Sequence, residues 1–510
     1  MTRQAAAGQQ GESPVAVSIV VGQDHLRWRS LEHLLDGLTG PLTLSELLVS
    51  RSRPDRGAMS GLLAAERAMF APARAGKVPN GLRKMPKSAD GIAACDVIID
   101  FRPGPVPGDL AARARHGVWQ FSCHDTGTVA AAVMRGDSAL GCRILCRTAR
   151  SPVPGILSRC VVGTKLAVVP TQAFASEKSA QLMLRELRRL ALCGALPEQE
   201  PACNAATGDR DVAGRAILAG YLRRVAGRVA AKAVSRVHPT RVPDHPFELR
   251  IGRGDYLDVD PGRATPVPQS PDMFCADPFL IEHREQVYCF YEEYPFGTGR
   301  GHIAVGRIAA GGLERIGPAL VAGHHLSFPY VFEDGGEVFM VPETLQAGRI
   351  EVWRSVGFPT KWDLHATALA GVPLADPVLV RHGGKWWLFA NSSHDGFGDF
   401  SSELCLFRTD GPGLGRIEAH PLNPVAIGSD VARGGGRVFE RGGRLYRYSQ
   451  DNSGGIYGYG LNLMEITELS DTGYAERRVA HFTPGGIAGA IGCHHADAAA
   501  GCFVVDVRRQ

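Results

Sequence analysis

From residue 288 onward the chain repeats one phrase. YCFYEEY, VFMVPET, WWLFANS and LYRYSQD are short aromatic and aliphatic runs, and each ends on a polar residue: Glu293, Glu343, Asn391 and Gln450. The steps between those positions are 50, 48 and 59 residues, and a fifth run, CFVVDVR, closes the chain with Asp506 at nearly the same place. Ahead of each run stands another short segment: ADPFLIE, SFPYVFE, ADPVLVR, ARGGGRVFE and HHADAAA. Turns such as EDGGE, RHGGK and ERGGR join the two, and glycine accepts the positive φ that tight hairpins require. A strand-built period near 50 residues predicts propeller blades. Five such units occupy residues 246–510, with FELRIG near 247 completing the last blade and closing the ring.

In a propeller the first strand of each blade lines the central channel. The leading segments therefore place Asp277, Asp376 and Arg433 at the axis, with Ser327 and Tyr330 from the second blade. Each of the two aspartates precedes a proline, which predicts an extended backbone there. Two carboxylates with Glu343 in one concave site are the equipment of glycosidic-bond chemistry. The alternative is that these aspartates cap turns and bind backbone amides.

The segments ADPFLIE, HHLSFPYVF, VFMVPET, FPTKWDLH, LADPVLV, HPLNPV, the ARGGG to YSQDN run and IYGYGLNLMEI occur in the expected order for a known group. In them this half resembles the five-bladed propellers of family-43-type glycoside hydrolases. It resembles still more closely the propeller domain at the amino end of plant glucosamine inositolphosphorylceramide transferases. The hydrolase resemblance implies an aspartate base, an aspartate modulator and a glutamate acid in that order along the chain. Here Glu343 precedes Asp376, so the order is aspartate, glutamate, aspartate. The expected catalytic set is Asp277 as base or nucleophile, Glu343 as acid, and Asp376 orienting the sugar and tuning the acid. Tyr330, His325, Arg433, Gln450, Asp451, Glu293 and Asn391 are the expected substrate-binding residues, with Arg433 available to a phosphate or carboxylate on the ligand.

The first half reads differently. Val15–Gly22 is a β-branched apolar run, and HLRWRSLEHLLDGL after it carries leucines at helical spacing. LTLSELLVSRSR, DVIIDF and GVWQF are further strand candidates, with LAARARHG as a helix between the last two. Alternating strands and helices predict a parallel, doubly wound α/β sheet. No GxGxxG follows the first strand, so no dinucleotide site is indicated. From Asp96 to about Leu192, the order DVIIDF, GVWQF, VAAAVMRGDSALGCRIL, GILSRCVV and a helix-rich end resembles the catalytic domain of formyltetrahydrofolate-dependent formyltransferases. That resemblance implies an asparagine and a histidine after the second of these strands, and an aspartate later. Gln120 and Ser122 stand at the first two places, and the third falls near Val153 or Pro154. Serine without an adjacent base, and proline, cannot do that proton chemistry. The domain reads as one that has lost formyl transfer, with Gln120, His124 and Asp125 as the alternative site if the turn is rearranged.

Residues 201–245 read as a linker carrying a helix over about 212–237, and residues 1–13 as a disordered tail. On the helix Leu218, Leu222, Val225 and Val229 form an apolar stripe among Arg215, Arg223, Arg224, Arg228, Lys232 and Arg236. Such a helix either packs between domains with its arginines solvated or makes a peripheral contact with an anionic membrane surface. The start of the chain has no signal-peptide pattern. The twelve cysteines contain no CxxC pair, so reduced thiols and a cytoplasmic location are expected. A net charge of +4 over 510 residues, without a dense basic block, argues against nucleic acid as a partner. No cofactor is expected. Cys493, His494, His495 and Asp497 could be imagined as metal ligands, but no second cluster supports them, and no metal is expected. The functional expectation is a carbohydrate-active protein that binds, and transfers or hydrolyses, a glycosyl group at the propeller channel. The alternatives are a formyl or acyl transferase acting on an amino sugar, and a non-catalytic glycan-binding scaffold.

Overall fold

The computed structural model describes residues 13–50, 59–70, 80–202 except Lys87 and Pro152, 215–237, and 245–510 except Gly311. The expected tail therefore lies almost wholly outside the described residues, as does most of the polar stretch before and after the helix near 215. The chain divides into two compact units: residues 1–228 with 395–397, and the remainder. No helix among the described residues is long and apolar enough to cross a membrane.

The first unit is built on strands β1 (Val15–Gly22), β2 (Leu42–Ser50), β3 (Leu82–Lys84), β4 (Val97–Asp100), β5 (Val118–Phe121), β6 (Ala139–Arg147), β7 (Gly155–Gly163) and β8 (Glu200–Pro201). They lie in the order β3-β2-β1-β4-β5-β6-β7-β8. The first five are mutually parallel, whereas β6, β7 and β8 join antiparallel. The sheet is thus mixed rather than wholly parallel, because the β6–β7 connection is a hairpin and needs no crossover helix. Val17, Ile19, Val20, Ile98, Ile99, Val118 and Trp119 are buried, the near-continuous apolar run of strands covered on both faces.

The helices of this unit are α1 (Arg29–Gly37), α2 (Ser60–Met69), α3 (Gly108–Ala111), α4 (Thr126–Arg135), α5 (Val168–Cys193) and, as far as Arg228, α6 (Arg215–Val237). LAARARHG is helical only in its first residues, since α3 ends at Ala111. Helices α1 and α5 approach closely at Gly37, where a Cβ would lie 2.4 Å from Leu184. The expected linker helix is anchored in this unit at its start. Tyr221 of α6 is buried, hydrogen-bonds the Glu66 carboxylate, and faces the Val168 amide at 3.4 Å. The residues of its expected apolar stripe point elsewhere: Leu218, Leu222 and Val229 are exposed and Val225 is half-buried.

The second unit is five antiparallel blades, the fourth and fifth joined into one sheet by a parallel bridge between Gly436 and Ala496. Blade 1 runs Met273–His283, Gln286–Pro295, His302–Ala309 and Gly312–Leu320; blade 2 runs Ser327–Asp334, Glu337–Glu343, Ile350–Gly357 and Lys361–Ala368. Blade 3 is Ala375–His382, Lys385–Asn391, Glu403–Thr409 and Ile417–Ala419; blade 4 is Gly434–Arg441, Arg444–Asp451, Gly460–Leu469 and Tyr474–Phe482. Blade 5 takes Ala490–Ala499 and Cys502–Arg509 from the end of the chain and Phe247–Arg253 from its middle, paired antiparallel on Cys502–Arg509. That pairing closes the ring. The five leading strands neighbour one another in a closed cycle, the arrangement of a five-bladed propeller.

Each leading hairpin turns through two residues at positive φ. Gly335-Gly336, Gly383-Gly384 and Gly442-Gly443 do so with glycine, and Arg284-Glu285 and Ala500-Gly501 without a full pair. Two consecutive positive φ values match the right-handed twist of the strands they join. Near the axis Arg437 grips Asp497 through two bonds of 2.9 Å and donates to the carbonyls of Leu280 and Val331. Asp497 in turn accepts from the Leu280 amide. One buried pair thereby ties blades 1, 2, 4 and 5 together, which accounts for Asp497 without a metal.

Candidate active site

The pairing of leading strand with second strand slips at the same place in four blades: after Ala276, Ser327, Ala375 and Gly434. These are β-bulges, in which an extra residue leaves the ladder and its direction changes. In the first three blades the bulged residue is Asp277, Phe328 or Asp376, each followed by proline, with φ of 52, 47 and 49°. The extended conformation expected before proline is therefore absent at both aspartates. Left-handed backbone at a non-glycine residue costs roughly 1–3 kcal/mol and persists only where surroundings enforce it.

The enforcement is visible. Each bulge turns a backbone N–H out of the ladder, and a side chain from the preceding blade accepts it. The Asp277 amide donates to Asp506 at 2.9 Å, the Phe328 amide to Asp277 at 3.3 Å, the Asp376 amide to Glu343 at 3.3 Å, and the Gly434 amide to Asn391 at 2.9 Å. The acceptors come from second strands in every case except Asp277, which is itself a bulged residue. In blade 1 the second-strand position equivalent to Glu343 is Glu292, because Ala276 pairs with Glu292 as Ser327 pairs with Glu343. Glu293, the residue expected there, is one place along and so faces the other side. It meets Arg315 at 2.6 and 2.9 Å and His302 at 3.3 Å, which overcome the cost of burial and hold its carboxyl down to about 2.

Around the mouth of the axis the expected catalytic trio converges. Arg433 donates to Asp376 at 2.6 and 3.1 Å and to Glu343 at 3.2 Å. Glu343 and Asp376 thus meet on the same guanidinium. Burial, with Glu343 and Asp277 nearby, raises the Asp376 carboxyl well above the usual range despite Arg433. Burial, together with Asp506 and Glu343, pushes Asp277 up to about 6 against the pull of His494 and Arg433. The Asp277, Glu343 and Arg433 side chains remain 11, 10 and 11% exposed, so solvent reaches them. The Nε and Nη2 groups of Arg433 are thus engaged by two carboxylates, and Nη1 faces the Phe400 carbonyl at 3.4 Å.

Behind Asp277 stands a relay. His494 meets Asp506 at 2.7 Å through Nδ1, and its Nε2 lies 3.5 Å from Asp277 Oδ1. Burial alone would lower the imidazole, but Asp506 overrides it and raises the value. The ligand atoms of Asp277, His494 and Asp506 all lie within 4.8 Å of one another, the spacing a metal ion would need. Asp506, however, already accepts from the amides of Asp277, His494 and His495 and from the His494 ring. The donor set fits a hydrogen-bonded relay better than a coordination shell. At the rim, Tyr457 is 41% exposed, its ring 5.3 Å from His494 and 5.7 Å from Arg433.

The other expected binding residues divide. His325 borders the cluster, with Nε2 3.4 Å from Glu292. Asn391 and Gln450 hold backbone: Asn391 bonds Glu403, Ala432 and Gly434, and Gln450 donates to the Gly434 carbonyl. Asp451 bonds Ser453 and pairs with His481. Tyr330 donates to the Leu379 carbonyl and packs beside Arg437, which removes it from the mouth. Glu292, His494, Asp506 and Tyr457 were not assigned to the site from the sequence. The equal placing of Asp506 in the fifth repeat was a usable signal; the choice between Glu292 and Glu293 needed the bulge.

In the first unit, His124 is buried within an aromatic cage of His25, Trp28, Phe101 and Phe121. Its nitrogens bond the Phe101 carbonyl at 2.9 Å and Ser176 at 2.7 Å, and burial lowers it to about 3. Asp125 caps α4 through Gly127 and Thr128, and Gln120 donates to the carbonyls of Arg102 and Gly104. The structure does not bring these three into one open site.

Fold and site together define a five-bladed propeller with a carboxylate–arginine cluster at the mouth of its axis. Residues 264–485 match the family described as glucosamine inositolphosphorylceramide transferase 1, N-terminal. The chain is similar to glucosamine inositolphosphorylceramide transferase 1 of Arabidopsis thaliana, 38% identical over 214 residues, 41% of this chain and 28% of that protein. The protein of the same name from Oryza sativa subsp. japonica is 36% identical over 210 residues, 40% of this chain and 28% of its own length. The chain thus spans little more than a quarter of the curated relatives it matches. Among solved structures, a family 117 glycoside hydrolase of Zobellia galactanivorans matches at 13% identity, with 52% of this chain and 90% of that chain covered and a TM-score of 0.33. The GH43_1 enzyme from Xanthomonas citri matches at 12% identity, 48 and 90% coverage and a TM-score of 0.33.

Proposed function

We propose that the propeller binds a sugar at the Asp277–Glu343–Asp376 cluster and acts on its glycosidic bond by transfer or hydrolysis. The observation that supports this reading is the convergence of three carboxylates and Arg433, with Asp277 and Asp376 on left-handed, strained backbone, where solvent still reaches Asp277, Glu343 and Arg433. Near neutral pH Asp277, with its value of about 6, is the base or nucleophile. Glu343 is the acid toward the leaving group, Asp376 with its raised carboxyl stands beside it, and Arg433 keeps both carboxyls in place. Paired carboxyls with divided protonation are what glycosyl chemistry requires. The relatives are named glucosamine inositolphosphorylceramide transferases, which is consistent with a sugar-related role.

A second reading is binding without turnover. It is favoured by one observation: Asp277 and Glu343 each accept a backbone amide as well. The two readings separate in a turnover assay of the full chain on nucleotide sugars and aryl glycosides. Catalysis requires that Asp277→Asn and Glu343→Gln each reduce release of product by at least about a hundredfold, within the usual effect of removing a general acid or base. Sugar binding with no turnover by the wild type supports the second reading. For the first unit we propose a formyltransferase-like domain that no longer transfers formyl groups, since His124 is caged and Asp125 serves as a helix cap.

A further inference from the structure

Helix α6 is held along one side. Tyr221 hydrogen-bonds the Glu66 carboxylate, and Arg224 donates to the Val133 and Met134 carbonyls in the last turn of α4. Away from that side, Leu218, Leu222, Val225 and Val229 recur at intervals of four, three and four residues, which sets them in one row along the helix. Leu218, Leu222 and Val229 are 38, 48 and 40% exposed, and Ile217 is exposed as well. No other helix or strand among the described residues exposes more than one large apolar side chain. Single exposed apolar residues are ordinary, whereas a row of them marks a contact surface.

The charge of the helix says what the contact is. Its 23 residues hold six arginines and lysines and no aspartate or glutamate, and Arg223 and Arg228 are exposed. Two copies packed through this row would bring like charges together with no acidic partner on the facing helix, which disfavours a second copy of the chain. A nucleic acid would satisfy the cations and leave the leucines against a polar backbone. An anionic lipid surface takes both, because aliphatic side chains enter the boundary between headgroups and acyl chains while basic side chains reach the phosphates. We infer that α6 is a peripheral membrane contact, seating the row Leu218, Leu222, Val225 and Val229 in the surface of an anionic bilayer. No helix among the described residues is long and apolar enough to cross a bilayer, and the contact lies in the plane of the interface. It goes beyond the sugar-binding reading and does not depend on it.

The test is co-sedimentation of the full chain with vesicles of phosphatidylcholine alone, or of phosphatidylcholine with about 30% phosphatidylserine. The expected result is binding to the anionic vesicles at least about tenfold tighter than to the neutral ones, and mostly lost in about 0.5 M salt, where surface charges are screened. Leu222→Glu puts a carboxylate in the row. Arg223→Gln with Arg228→Gln removes two cations, each worth about fivefold near such a surface. Either variant should weaken binding by at least about tenfold. Both change exposed side chains, so the melting temperature should stay at the wild-type value. In Leu222→Trp, tryptophan emission should shift further to the blue on adding anionic vesicles than it does in the wild type, which localises the contact to the row. No binding to anionic vesicles, or binding unchanged in both variants, would overturn the inference. A concentration-dependent dimer abolished by Leu222→Glu, without vesicle binding, would assign the row to a second copy and overturn it too. So would binding of an oligonucleotide without vesicle binding.

Discussion

Replacing Arg433 by methionine removes the one guanidinium among the mouth carboxylates while keeping most of its volume. In the native protein it makes two bonds to Asp376 and one to Glu343, with its side chain 11% exposed. Breaking a buried ion pair from one side costs about 3–5 kcal/mol, because the partner charge is left uncompensated. For a domain of this size that lowers the propeller transition by roughly 6–20 °C. The deficit must depend on pH, and its direction is fixed. Without Arg433 the folded carboxyls bind protons still more tightly than the unfolded chain, whose carboxyls titrate near 3.9 to 4.3. A carboxyl with a raised folded pKa contributes stability that is fully present below its unfolded value and is lost as pH rises through the folded value. Arg433→Met is therefore worst at pH 8 and recovers toward pH 5. Scanning calorimetry of the full chain at both pH values reads this directly. Combining Arg433→Met with Asp376→Asn and Glu343→Gln should restore most of the loss, since no charge is then left to compensate. A deficit under about 1 kcal/mol at pH 8, or one equal at both pH values, would refute the reasoning.

Asp277→Asn removes the carboxyl held at about 6, so the loss of wild-type stability between about pH 4 and 6 should flatten and the melting temperature at pH 8 should stay level or rise, as read by thermal shift across pH. Gly436 has φ of 145° and a Cβ there would lie 2.1 Å from the Ala496 carbonyl oxygen; Gly436→Ala should lower propeller stability by about 3 kcal/mol or more, measured by urea unfolding, since both the backbone and the bridge between blades 4 and 5 must shift. Tyr221→Phe removes the donor to Glu66 Oε1, leaving the buried carboxylate only the Val169 amide on Oε2, and should cost about 1–3 kcal/mol, seen as faster proteolysis within α6.

The repeat made most of the second unit legible, because alternation, glycine turns and period all report on hairpins. It located every leading strand and the closing role of FELRIG. It brought Asp277, Glu343, Asp376 and Arg433 together correctly because a propeller puts equivalent positions on one axis. What it missed turns on single residues. The bulge shifts pairing by one, and a shift of one exchanges Glu292 for Glu293 across the sheet. The rule that a residue before proline is extended failed at Asp277 and Asp376, where the lost ladder bond is replaced by a carboxylate from the preceding blade. Tyr330 lies on the right strand but three residues past Ser327, and its side chain ends beside Arg437. In the first unit, His124 looked available because a strand-end turn is usually open. The burial that cages it comes from His25, Trp28 and Ser176, which are distant in sequence.

The central claim is that the mouth carboxylates bind a sugar, and saturation-transfer NMR of the full chain with a panel of monosaccharides tests it most directly. The account predicts transfer to at least one sugar, abolished by Asp277→Asn in a protein whose melting temperature has not fallen. Transfer to no sugar, or transfer unchanged in Asp277→Asn and in Asp376→Asn, would contradict it.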